Sequence, residues 1–422
     1  MFRRVLLLAL SAIALSSVVR AADPMATDYP PRDCEGSLTP YRVPEKEVVV
    51  PDSLSPVFIN HVGRHGARYP AGPGFTMQMI SLLERADSLG SITPLGKRLL
   101  GIARDVAEVS HNQWGALDSL GMAEQRGIAA RMFMNFPQVF SDGAVVNAIS
   151  SYSPRSMMSM FSFVHQLDRL NSRIFVLTST GQQNSSLMRP FDVNKDYIEW
   201  VKSKAWTPVY DAHLMKVAPL TALKRVAGEK FPMPDERQAK EWALQEYYLI
   251  AGLAAMSVEV NALDFFTPAE YNALWSCFNL RQYLNRCSST LSTIPADIAG
   301  PLVRNLISTT DDFIAGRSDD RVQLRFGHAE TLMPLLSLLR LQGCYYLTNY
   351  FDSVALHWKD FYVVPMAANL QMILFKSTTG RYYLRTDLNE NPVPLIPGND
   401  SVYLPWDQAR QYMERCLPAD DL

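Results

Sequence analysis

The sequence predicts an open α/β sheet flanked by helices, because three times a strand-like apolar run gives way to charged residues and then to a helical pattern. The first run, Val57-Phe58-Ile59-Asn60-His61-Val62, ends at Gly63 just before Arg64-His65-Gly66. The second, Ala144 to Ser150, leads into Ser153-Pro154-Arg155 and a helical spacing of Met157, Phe161, Val164 and Leu167. The third, Val322 to Phe326, leads into Gly327-His328-Ala329-Glu330 and a helix with Leu332, Leu335, Leu336 and Leu339, whose Pro334 is expected in the first turn. In an open sheet of this kind the ligand crevice lies at the carboxyl ends of the strands. Further on, Ala368 to Phe375 and Tyr382 to Arg385 flank a Thr-Thr-Gly turn and predict a hairpin.

Between these elements the strand signals thin out after Phe175-Val176-Leu177, and helical patterns dominate, notably from Gln238 to Val258. The expected organisation is an α/β core made of residues 22–170 and 294–422, with a mostly helical cap inserted at 171–293. Ahead of the core, Met1-Phe2-Arg3-Arg4, an apolar run from Val5 to Val19 and Val19-Arg20-Ala21 read as a removable signal peptide over residues 1–21. No later run has the length of a membrane span, so the mature chain is expected to be soluble, either secreted or periplasmic.

The chain is 422 residues long with 48% hydrophobic residues, enough for a large core, and a formal net charge of −2. That balance offers no global field for nucleic acid, so an anionic substrate must be met by locally clustered cations. The five cysteines, Cys34, Cys277, Cys287, Cys344 and Cys416, match no zinc spacing. Cys277 and Cys287, with nine residues between them, are read as the leading candidates for a bridge, with two buried thiols as the alternative.

The three junctions carry the parts that phosphate-ester cleavage needs. A phosphate monoester is anionic and its alkoxide leaves poorly, so the site must neutralise charge and hold the reacting atoms in line. Arg64 and Arg68 bracket His65, and Arg155 comes from another junction; guanidinium forks match phosphate oxygens two at a time. Nearby cations disfavour protonation of an imidazole, which leaves His65 able to attack phosphorus. Gly66 lets the backbone pass close to the bound group, and Glu330 is the candidate acid for the leaving oxygen. His61, His111, His165, His213 and His357 have no comparable setting, and Met157, Met158 and Met160 read as core.

Arg64-His65-Gly66-Ala67-Arg68-Tyr69-Pro70 with a distant histidine motif resembles the histidine acid phosphatase family, branch 2 of the histidine phosphatases. The second motif departs from the His-Asp of most of that family. Its His328-Ala329-Glu330, with Leu187-Met188-Arg189-Pro190-Phe191-Asp192 and Pro365-Met366-Ala367-Ala368-Asn369, is similar to the multiple inositol-polyphosphate phosphatases. The resemblance spans roughly residues 56 to 377. It implies a phosphoglycerate-mutase-like core with a helical cap, His65 as nucleophile, Arg64, Arg68, Arg155 and His328 as ligands of the scissile phosphate, Glu330 as proton donor, and neither metal nor cofactor. Leu117-Asp118-Ser119-Leu120-Gly121-Met122-Ala123-Glu124 is a weaker echo of the family, and Glu124 is assigned no catalytic role.

An inositol polyphosphate carries phosphates that do not react, each needing a cation on the pocket wall. The expected cap supplies Arg189, Lys195 and Lys202 for this; Lys216, Lys224 and Arg225 read rather as a solvated face. The expected activity is hydrolysis of phytate and lower inositol phosphates by a monomer. The alternatives are a broad acid or sugar phosphatase and a phosphate-ester-binding protein that has lost catalysis.

Overall fold

The computed structural model describes residues 27–45 and 49–418, so the signal sequence read at 1–21 lies outside the described residues. The sheet has eight strands: β1 (Leu54–Arg64), β2 (Val145–Ser150), β3 (Phe175–Thr180), β4 (Asp320–Gly327), β5 (Asn369–Ser377), β6 (Tyr382–Leu388), β7 (Asn391–Val393) and β8 (Tyr403–Pro405). Their order is β3-β2-β4-β1-β5-β6-β7, with β8 on β6. The four strands β3, β2, β4 and β1 run parallel, and β5 turns the sheet antiparallel through the expected hairpin with β6.

β1 is buried on both faces, as strands covered by helices on either side must be. Ile59 packs with Val146, Leu324 and Phe326 against the helices Ser119–Asn135 and Pro154–Leu170. Phe58 and Val62 face the other way, onto Leu302, Leu306, Leu332 and Leu336 of the helices Gly300–Ile314 and Ala329–Leu338. Of the three methionines expected in the core, Met160 is fully buried while Met158 is exposed.

A second apolar core lies in a helical layer. It joins Met79, Leu83, Leu99 and Ala103, from the helices Gly74–Ser88 and Pro94–Val109, to Leu223, Tyr247 and Trp275 from the long helical stretch between β3 and β4. The helical layer is therefore built from two excursions of the chain, one of them within residues 22–170. β3 falls inside the range 171–293 yet is the edge strand of the sheet, and its outward residues Phe175 and Leu177 are exposed.

Two local expectations are corrected. Pro334 sits inside the Ala329–Leu338 helix rather than in its first turn, which deprives the Glu330 carbonyl of the N–H that would bond it one turn on. All five cysteines are buried free thiols. Cys277 lies in the helix Pro268–Arg286 and Cys287 caps its end, so about 15 Å of helix rise separates them, beyond any disulfide.

Candidate active site

Three strand ends bring the site together. Arg64, the last residue of β1, pairs in register with Gly327, the last of β4, and β2 ends beside β4 with Ser150 opposite Phe326. His65, Arg155 and His328 each follow one of these ends, and the rings of His65 and His328 lie 5.6 Å apart. Arg64, His65, Arg68, Arg155, His328 and Glu330 are thus gathered from chain segments up to 266 residues apart at the carboxyl edge of the sheet.

The loop carrying His65 is held by backbone groups. The His65 N–H donates to the Gly327 carbonyl (3.2 Å), and the His65 carbonyl accepts from the Ala367 N–H (3.0 Å). Gly66 donates to Ser159 Oγ (3.1 Å), and Ala67 to Glu124 Oε2 (2.7 Å); the other Glu124 oxygen accepts from the Tyr41 N–H (2.8 Å). Burial outweighs those bonds and the Arg64 charge, and pushes the Glu124 carboxyl up to about 7. Glu124 therefore shapes the nucleophile loop, a tertiary role that the blunted Leu117–Glu124 echo concealed. A Cβ on Gly66 would fall 2.4 Å from the Gly121 carbonyl oxygen, so the glycine is required by close approach to the helix Ser119–Asn135.

The His65 ring has a defined tautomer. Nδ1 lies 2.9 Å from the Gly66 carbonyl, which can only accept, so Nδ1 carries the hydrogen and Nε2 keeps its lone pair. Burial, then Arg64, Arg155, Arg68 and His328, holds its pKa well below the ordinary histidine value, which favours the neutral ring. On His328, Nε2 accepts from Arg189 Nη1 (2.8 Å) and Ser151 Oγ (3.0 Å), which places the hydrogen on Nδ1, 3.4 Å from Arg155 Nη2. Burial, with Arg155, Arg189 and Arg64 outweighing Glu330, lowers this ring to about 3.

The arginines are anchored by one nitrogen each. Arg64 Nη1 donates to the carbonyls of Ser37 and Val364 (2.6 Å each), and Arg68 Nη1 to that of Tyr69 (2.8 Å). The Nε groups of Arg64, Arg68, Arg155 and Arg286 are buried and have no hydrogen-bond partner among the described residues. Burial draws Arg64 down to about 10 and Arg68 to about 9, so both stay charged at neutral pH. Several buried donors with no acceptor make a site for an anion with several oxygens.

Glu330 Oε1 accepts from Arg286 Nη2 at 3.1 Å. Burial raises a carboxyl, but the charge of Arg286 and the hydrogen bonds win, and hold Glu330 well below the usual carboxylate range. The sequence did not point to Arg286, a single cation at the end of the Pro268–Arg286 helix with no local motif around it. Of the cap cations, Arg189 reaches the site, stacked between the rings of Tyr152 and Phe191 (4.8 Å to each centroid) and paired with Asp192. Lys195 is exposed at the start of the Lys195–Ser203 helix, and Lys202 is exposed and paired with Glu199. Lys216, Lys224 and Arg225 pair with Asp352, Glu229 and Glu270.

A second constellation in the helical layer resembles a nucleophile triad: His213 Nδ1 lies 2.7 Å from Asp352 Oδ1 and Nε2 lies 3.0 Å from Ser276 Oγ. Ser276 Oγ, however, donates to the Ala273 carbonyl (2.7 Å) in the middle of a helix whose backbone N–H groups are committed, so no oxyanion site adjoins it. The trio ties the helix Thr207–Val217 to the turn at Phe351–Ser353.

The profile of the histidine phosphatase superfamily (branch 2) matches residues 57–389. The chain is 26% identical over 447 residues to the multiple inositol polyphosphate phosphatase 1 of Homo sapiens, covering 96% of this chain and 91% of that protein. The protein of the same name from Gallus gallus is 24% identical over 384 residues, 84% of this chain and 80% of that one. Among solved structures, the Bifidobacterium longum multiple inositol polyphosphate phosphatase in complex with inositol hexasulfate superposes with a TM-score of 0.78 at 18% identity, over 92% of this chain and 98% of that one. The phytase from D. castellii gives 0.69 at 14% identity, over 92% and 86%. These two structures share the fold, an α/β sheet flanked by helices.

Proposed function

The chain belongs to branch 2 of the histidine phosphatase superfamily, and on that footing we propose that it hydrolyses phytate and lower inositol polyphosphates through a phosphohistidine intermediate. The observation that carries this reading is the lone pair of His65 Nε2 beside Arg64, Arg68 and Arg155, whose buried Nε groups have no acceptor among the described residues. Those donors, with the Nδ1–H of His328, take the oxygens of the reacting phosphate. They neutralise its charge while Nε2 attacks in line. Glu330, beyond His328, gives a proton to the leaving oxygen and later takes one from the water that releases phosphate from His65.

The polyphosphate preference rests on the cations around that centre. Arg189 is held rigid by Asp192 and two aromatic rings, a good anchor for a phosphate that does not react. On this reading the exposed Lys195 would meet a phosphate further out, whereas Lys202 is given to Glu199. The human and chicken relatives named above act on multiple inositol polyphosphates by their names, in line with this assignment. The leader read at residues 1–21 would carry the enzyme to the periplasm or beyond the cell, and no helix among the described residues is long and apolar enough to cross a membrane.

The test is a product profile from phytate, run with wild type and His65→Ala side by side. The expected outcome is a series of lower inositol phosphates from the wild type, and a loss of turnover of about 10⁴-fold or more in the variant. Release of phosphate from p-nitrophenyl phosphate but not from phytate would sink the substrate assignment. Turnover surviving in His65→Ala would sink the nucleophile assignment.

A further inference from the structure

Arg286 has no place in the mechanism so far, yet it is the group in hydrogen-bond contact with the proposed acid. Its helix is fixed at the far end by a Thr267–Glu270 capping box with Pro268 in the first position, and at the near end by Tyr197, whose hydroxyl donates to the Asn285 carbonyl (3.1 Å). The guanidinium at the last turn is therefore presented by rigid backbone, where a cation also complements the helix dipole. It spends Nη2 on Glu330 Oε1 and leaves its buried Nε without a partner among the described residues.

An ionised carboxylate cannot donate a proton. The groups that face Glu330 are Arg286 from its helix, His328 from the same turn, Arg64 and Arg68 from the end of β1, Arg155 from the Pro154–Leu170 helix and Tyr197 from the Lys195–Ser203 helix. Both His328 and Tyr197 are neutral at working pH, the first with its pKa lowered by burial and the second with its pKa raised by burial. A bound reacting phosphate would neutralise Arg64, Arg68 and Arg155. Arg286 would remain, still holding Glu330 in its ionised form.

A phosphate next to the scissile one would complete the neutralisation, since it offers Arg286 oxygens that carry more charge than one carboxylate and can use Nε as well. Resting on the polyphosphate reading above, we infer that Arg286 is a specificity-determining residue: a neighbouring phosphate takes its guanidinium, and Glu330, released from the ion pair, picks up a proton from solvent and delivers it to the leaving oxygen. In that step the bond from His65 Nε2 to phosphorus forms as the ester P–O bond breaks, the ester oxygen leaves as a hydroxyl, and Glu330 returns to carboxylate. In the second step Glu330 takes a proton from water as the water oxygen bonds phosphorus and His65 departs neutral. An ester with no neighbouring phosphate leaves the ion pair closed and is turned over slowly.

The experiment measures kcat and KM against pH for wild type, Arg286→Gln and Arg286→Lys. The substrates are phytate, 2-glycerophosphate, which has an alkoxide leaving group and no second phosphate, and p-nitrophenyl phosphate, whose leaving group needs little acid and which reports folded enzyme. In Arg286→Gln the alkaline limb of kcat for 2-glycerophosphate should move up by about one pH unit or more. For phytate, KM should rise about tenfold or more, so the preference for phytate over 2-glycerophosphate falls by about tenfold, and toward 10²-fold above the wild-type limb. Arg286→Lys, which keeps a cation but loses the fork, should lie between. Equal losses on all three substrates with the limb unmoved would overturn the inference and leave Arg286 a structural residue. Failure of wild type to turn over phytate would instead overturn the polyphosphate reading, and with it the neighbouring-phosphate step.

Discussion

Two groups of arginines use their nitrogens in opposite ways. In the body of the sheet, Arg385 is bidentate to Asp387 (2.9 and 2.8 Å) and lies against the rings of Phe136, Phe375 and Tyr403. Arg325 has no carboxylate partner among the described residues but gives Nε to Asn305, Nη1 to Asn60 and Nη2 to Thr309. At the carboxyl edge of the same sheet, Arg64 and Arg68 are tethered by carbonyls through one nitrogen, and with Arg155 and Arg286 they leave Nε unbonded. A fork with every arm used has a structural role. A fork held by one arm, among like charges, is arranged for an anion from outside.

Exchanging the two kinds of loss breaks or sharpens this contrast most. Asp387→Ala strands the buried Arg385 charge and should cost about 3–5 kcal/mol of stability, while kcat/KM of the folded enzyme is unchanged. Arg155→Ala should do the reverse, losing about 10²–10³ in kcat/KM for removal of one phosphate donor. Its stability should stay within about 1 kcal/mol, because the change also relieves repulsion from Arg189. Denaturant melts and initial rates on the same preparations measure both. If Arg155→Ala unfolds the protein while Asp387→Ala only slows it, the two groups have been assigned the wrong way round.

A buried acid without partners shows why the site arginines need an anion. Glu246, in the helical layer, is fully buried with both oxygens unbonded among the described residues. Burial, with Glu270 adding to it and Arg225 opposing, pushes its pKa up to about 8. Glu246 escapes its charge by keeping a proton; a guanidinium has no such route at neutral pH. A carboxyl whose folded pKa is raised contributes stability that is whole below its unfolded pKa, about 4.3, and is lost as pH climbs toward 8. The loss is about 1.4 kcal/mol per pH unit across that window. Glu246→Gln should therefore match wild type near pH 4 and exceed it increasingly toward pH 7, by a few kcal/mol in denaturant melts. Parallel stability curves for the two proteins across that range would show Glu246 to be ionised and paired in solution.

The parts of the site that were legible in the sequence are those in which a strand end and its charged residues are contiguous. Arg64-His65-Gly66, Ser153-Pro154-Arg155 and His328-Ala329-Glu330 each announce a turn at the end of an apolar run. Arg286 and Glu124 were not legible, because each reaches the site from the body or end of a helix whose placement depends on packing far along the chain. The same cause explains the misread thiols: nearness in sequence suggested Cys277 and Cys287 as partners, but a helix carries residues apart as steadily as it brings them to one face. β3 carries a strand signal in Phe175-Val176-Leu177, but whether such a run joins the sheet edge or opens an insertion depends on pairing with β2 far back in the chain, and its Phe175 and Leu177 stay exposed as befits an edge.

Inorganic phosphate offers the gentlest probe of the contrast. If the edge arginines are arranged for an anion, phosphate binds the folded state alone and stabilises it by RT ln(1 + [L]/Kd), about 2.7 kcal/mol at a hundredfold excess over Kd. The melting temperature should climb with phosphate and not with an equal ionic strength of chloride, since chloride cannot satisfy several N–H groups at once. In Arg155→Ala the phosphate response should shrink, because one donor and one charge are gone. In Asp387→Ala, compared at a lower baseline stability, it should persist in full, because the phosphate donors are intact. A response of equal size to both salts would mean that the edge arginines are met by diffuse counterions, and that their unbonded Nε groups do not form an anion site.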